Sequence, residues 1–122
     1  MKIQTPALIE SLILDDIPQD LQREQEHYIQ LEFSAIDTGG AFRDPILDFS
    51  ILLQNVDLGH PSTGKKHNID LSLTDPAKKD NKIRFSCTCE LAINDEQLEI
   101  NGRLHEDEIN NELVGFVLKR FQ

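Results

Sequence analysis

Residues 83–104 read IRFSCTCELAINDEQLEINGRL, and the reading of this stretch decides the fold. Ile83, Phe85, Cys87, Cys89, Leu91 and Ile93 fall on alternate positions, separated mostly by polar residues. Leu98, Ile100, Gly102 and Leu104 resume the alternation after Asn94-Asp95. A period of two puts the apolar residues of a strand on one face. A two-residue turn at Asn94-Asp95, both tolerant of positive φ, would set Leu91 opposite Leu98, Cys89 opposite Ile100 and Phe85 opposite Leu104.

The same alternation extends outward in both directions. Ile69, Leu71 and Leu73 form a strand that pairs Leu73 with Ile83 and Ile69 with Cys87. Further upstream, Ile29, Leu31, Phe33 and Ala35 precede Leu47, Phe49, Ile51 and Leu53, with Phe33 expected opposite Phe49 and Ile29 opposite Leu53. A slip of one residue in any pair would turn an apolar face to solvent. Five strands with one apolar face each predict a largely antiparallel sheet that needs a cover on one side.

The chain ends read as helices that supply this cover. Thr5-Pro6 forms a cap and first-turn pair ahead of Ala7, Leu8, Ile9, Leu12 and Ile13, with a strand over Ser11–Leu14 as the rival reading. Downstream, Ile109, Leu113, Phe116, Val117 and Phe121 share one helical face, with Asp107 as N-cap and Lys119-Arg120 near the end. The expected fold is therefore α+β, with about five largely antiparallel strands and one face covered by N- and C-terminal helices. A small β-sandwich or barrel is the alternative. No linker or repeat divides residues 1–122, so a single domain is expected.

Composition excludes several functions. The 122 residues carry 22 Asp+Glu against 12 Lys+Arg, a formal charge of −10, which repels nucleic acid and anionic membrane. No apolar run approaches the ~20 residues of a membrane span. Two cysteines, and a start without the apolar stretch of a signal peptide, lead to a cytoplasmic expectation. Cys87 and Cys89 read as buried structural thiols, and the four histidines lack ligand-like spacing. The loop at Gly64-Lys65-Lys66 precedes a strand and lacks the Walker pattern. There is no nucleophile elbow and no Gly-rich dinucleotide fingerprint, so no cofactor is expected.

Three functional readings follow. The leading one is a non-catalytic protein–protein interaction module of the assembly, chaperone or immunity type, with possible self-association and a sheet edge open to strand addition. The second is an acidic decoy for a basic protein. Residues 1–61 hold 11 acids against 3 bases, and Asp15, Asp16, Asp20, Glu24, Glu26, Glu32 and Asp48 are the candidate partner-binding residues. The third is a small-ligand or divalent-cation binder, or an enzyme, using a pocket between sheet and helix with Glu90, Glu99, Arg103 or His105 at its mouth. Glu90 and Glu99, expected directly opposite one another, are its candidate metal ligands.

Overall fold

The computed structural model describes residues 2–15, 20–21, 25–37, 42–54, 65–94, 97–105 and 108–121. Its elements are β1 (Lys2–Leu14), β2 (Asp20–Leu21), β3 (Gln25–Asp37), β4 (Phe42–Gln54), β5 (Lys66–Thr74), β6 (Lys82–Asn94), β7 (Gln97–Leu104) and α1 (Asn111–Phe121). The strand order is β2-β1-β3-β4-β7-β6-β5, and β5 pairs back onto β1. Six antiparallel strands thus close into a barrel, while the two-residue β2 extends the flank of β1 that β3 occupies.

This architecture overturns the α+β expectation. No pair of helices lies over an open sheet; the apolar faces meet one another inside the barrel. The expected N-terminal helix is instead β1, whose inward residues are Thr5, Ala7 and Ile9, then Leu12 and Leu14. The register against β5 shifts between Ile9 and Ser11, leaving Glu10 as the extra residue of a β-bulge. An extra residue flips the parity of a strand, so its apolar spacing mixes twos and threes and imitates a helix. Pro6 fits this strand because β1 pairs with β5 only from Leu8 onward.

The pairings explain closure. From Lys2 the register runs through Glu32, Asp48 and Arg103, and on past Thr88 to Asn68. It rejoins β1 at Asp15, whose amide donates to the Asn68 carbonyl at 3.0 Å. One circuit therefore ends far along β1 from where it began, the strong stagger that lets a barrel of few strands enclose packed side chains. Inward residues of all six strands join one apolar cluster, with Ile51, Ile100 and Leu104 fully buried. Each large aliphatic side chain so buried contributes about 1.5–3 kcal/mol.

Two expected hairpin registers are corrected by two residues. Leu91 faces Ile100 and Cys89 faces Gly102, with Asn94 paired to Gln97. Leu31 faces Phe49 and Ile29 faces Ile51. A shift of two leaves every side chain on its face, so hydrophobic alternation alone does not detect it. The β5–β6 register is the expected one, with Leu73 opposite Ile83 and Ile69 opposite Cys87.

The C-terminal helix forms. Leu113, Phe116 and Val117 are buried in the barrel's apolar cluster, and Ile109 packs against it. Its N-cap is Asn110, whose Oδ1 accepts the Leu113 amide at 2.8 Å; the expected cap, Asp107, lies outside the described residues. A reciprocal turn leads in: the Glu108 amide donates to the His105 carbonyl at 2.9 Å, and the His105 amide donates to Glu108 Oε2 at 3.0 Å. No helix among the described residues is long and apolar enough to cross a membrane.

Candidate functional site

Closure of the barrel sends alternate residues outward, and the pairings arrange them in rows across the strands. One row is Lys2, Glu32, Asp48 and Arg103, on β1, β3, β4 and β7. The next is Gln4, Gln30, Ser50, Asn101, Glu90 and Lys66, on β1, β3, β4, β7, β6 and β5. In the third, Pro6 faces Tyr28, Leu52 faces Glu99, and Glu99 faces Ala92. The β3–β4 register, one step beyond Ile29 opposite Ile51, brings Tyr28 beside Leu52.

The first row is bound together by charge. Arg103 Nε and Nη2 donate to the two Asp48 carboxylate oxygens at 2.6 and 3.1 Å. Asp48 raises the Arg103 pKa through that hydrogen bond and its charge. Lys2 lies 4.0 Å from Glu32. In the second and third rows, the Ser50 hydroxyl donates to Glu99 Oε1 at 3.4 Å.

These rows border an open cleft of about 760 Å³ on the outer face of the barrel. Glu90, Glu99, Arg103 and His105 all line it, so the residues expected at a pocket mouth do share one concavity. It lies across the strands, however, and not between sheet and helix. The corrected register also separates the carboxylates: Glu90 faces Asn101 and Lys66, while Glu99 faces Leu52 and Ala92. They are diagonal neighbours, not a direct pair. Among the described residues no three His, Cys, Asp or Glu side chains are grouped to hold a metal ion.

Among the described residues, the candidate partner-binding acids Glu32 and Asp48 are cross-strand neighbours, Glu26 lies further along β3, and Asp15 lies at the end of β1. Asp15 ties the end of β1 to β5, its Oδ1 accepting the Asn68 amide and its Oδ2 the Asn68 side-chain amide, both at 2.8 Å. Glu26 and Glu32 stand on the outer face of β3, and Asp48 on β4. Asp20 belongs to β2, whereas Asp16 and Glu24 lie outside the described residues.

The two cysteine thiols are turned inward. Cys87 and Cys89 are free and buried. Burial first, and neighbouring charge second, pushes their thiols up to about 12 and about 11. Such thiols carry negligible thiolate at neutral pH. His67 is buried as well, with Nδ1 3.7 Å from Asp15 Oδ1, while His60 lies outside the described residues.

Two residues were missed from sequence. Tyr28 is 57% exposed and Leu52 37% exposed, although both are large and apolar. The signal was present: each occupies the polar side of its strand's alternation, where an apolar residue gains nothing from the core.

Comparison with protein-family models, with curated proteins and with solved structures finds no match to this chain.

Proposed function

We propose that this chain is a non-catalytic protein-binding module that works through the outer surface of its barrel. The observation that carries the reading is the pair Tyr28 and Leu52, adjacent on neighbouring strands and both turned to solvent. A pair of large apolar side chains left on the outer face gains little from the barrel core, and it is the kind of anchor that protein interfaces bury. Tyrosine suits the role, since it offers a large rigid face at small entropic cost.

Barrel closure changes how such a module would bind. An open sheet edge would have favoured strand addition, but β5 pairs with β1, and the part of β1 that pairs with β3 but not with β5 carries Pro6. Proline and charge on an edge suppress strand addition. Face-to-face docking on side chains is the mode that fits. A cytoplasmic setting, with reduced thiols, accords with this reading.

The decoy reading is weaker, because Asp15 and Asp48 spend their carboxylates on Asn68 and Arg103. The small-ligand reading retains one favouring observation, the gathering of Glu90, Glu99, Arg103 and His105 around one cleft.

The test is capture of partners from native extract, followed by reconstitution with the purified partner in a titration calorimeter. A saturable stoichiometric complex with negative ΔCp is expected. Failure of every captured protein to reconstitute would remove the module reading.

A further inference from the structure

We infer that the Tyr28–Leu52 pair and the neighbouring cleft form one continuous docking surface for a basic, partly apolar segment of a partner protein. An apolar side chain of the partner rests on Tyr28 and Leu52, and an adjacent Lys or Arg enters the cleft beside Glu99. This inference rests on the module reading and names its surface and the chemistry of its partner.

Continuity follows from the registers. Leu52 is the direct cross-strand neighbour of Glu99, which lines the cleft. Tyr28 stands two positions from Gln30, another lining residue, about 7 Å along β3. A single extended segment therefore reaches both features with neighbouring side chains.

Charge selects the partner. Glu26 lies two positions from Tyr28 on the same outer face, and Glu99 stands opposite Leu52, so acids border the apolar pair on two sides. Of the cations lining the cleft, Lys2 and Arg103 are held by Glu32 and Asp48, and Lys66 stands opposite Glu90, which leaves Glu99 beside the apolar pair as the acid that receives the incoming cation. A second copy of the chain is a poor occupant, because two chains each of formal charge −10 repel one another and each would bring the same acid-bordered pair to the contact. A cationic segment instead gains from the field around the apolar pair, and its approach is accelerated at low salt.

The molecule carries its own reporter. Tyr28 is the only tyrosine and there is no tryptophan, so intrinsic fluorescence reads this surface alone. The probes are two twelve-residue peptides without aromatic residues, one with Leu and Arg spaced by Gly and Ser, the other with Glu in place of Arg. The Leu/Arg peptide is expected to change Tyr28 emission saturably and to weaken as salt rises. L52S and E99Q are each expected to weaken it about tenfold, the usual effect of removing an interface anchor. E112Q, on the exposed start of α1, leaves it unchanged. Equal responses to both peptides would overturn the inference, as would undiminished binding by L52S and E99Q. An emission change on concentrating the protein alone would assign the surface to a second copy and overturn it too. If a captured partner reconstitutes equally with wild type and with the L52S/E99Q double variant, this surface is wrong while the module reading stands.

Discussion

The ring of Phe49 lies over Gly102, its cross-strand neighbour on β7, so closely that a Cβ built on Gly102 would fall 2.1 Å from Phe49 Cζ. The same ring meets Phe85 edge-on, with centroids 5.4 Å apart and planes at 75°. Gly102 is thus the gap that lets a large aromatic residue fill the barrel at the floor of the cleft.

Gly102→Ala is therefore expected to destabilise the fold by about 1–3 kcal/mol through overpacking. Chemical denaturation measures it. Phe49→Leu in the same chain should recover part of the loss, so the double variant costs less than the sum of the two single changes. Strict additivity would mean that the ring does not fill the space above Gly102.

The bulge at Glu10 gives a prediction about pH. The Thr74 hydroxyl donates to its carboxylate, and Lys82 Nζ lies 3.4 Å away. The Thr74 bond first, and Lys82 with Ser72 as well, lower the Glu10 pKa below its ordinary 4.5, against a smaller opposing effect of burial. A carboxyl with a depressed folded pKa adds stability above its unfolded pKa and loses it as pH falls through the folded value. Urea midpoints should accordingly fall as pH drops below about 4.5, and Glu10→Gln should flatten that fall. The carboxylate is partly exposed and its ion pair screened, so the effect is under about 1 kcal/mol. An identical acid limb in wild type and Glu10→Gln would contradict it.

This bulge also shows where the fold was legible and where it was not. Strict alternation from Ile83 to Leu104 made the strands readable, and the β5–β6 register matched expectation across the seven residues between Thr74 and Lys82, whereas the shorter connection after Asn94 did not protect the β6–β7 register. The other two hairpins slipped by two because burial, the only force the pattern encodes, is indifferent to an even shift. What separates Gly102 opposite Phe49 from its rivals is steric fit, which appears only with the partner strand in place. Glu10 hid β1 by breaking its period, and with β1 read as helix the sheet had no means of closing. The site was half legible for the same reasons. Glu90, Glu99, Arg103 and His105 were named and do border one cleft. Tyr28 and Leu52 fall on the polar side of their strands' alternation, and a single strand shows no neighbour across which two exposed apolar residues become a pair.

The helix cap offers a local test. Asn110 Oδ1 accepts the Leu113 amide at 2.8 Å, and Leu113 begins the buried face of α1. Asn110→Ala removes that acceptor and is expected to cost about 1 kcal/mol, whereas Asn110→Asp or Asn110→Ser should retain most of it. Equal losses in all three variants would show that the side chain matters for something other than capping.

The thiols supply the last prediction. Cys87 and Cys89 are buried on β6, and their pKa values rise from 9.0 to about 12 and about 11. Iodoacetamide at pH 8 should therefore leave the native protein unmodified and alkylate both residues once urea unfolds it. The same shift fixes a direction at high pH. A thiol raised by folding keeps its proton in the native state, while the unfolded chain releases it above about 9. The resulting stability is fully present below the unfolded pKa and declines as pH climbs from 9.0 toward the folded values. Cys87→Ala keeps a small apolar side chain at the site but removes the titrating group, so it should lessen the alkaline decline even where it lowers stability at pH 7. Rapid alkylation of the native chain, or an alkaline limb unaltered by Cys87→Ala, would place these thiols at a surface and not inside the barrel.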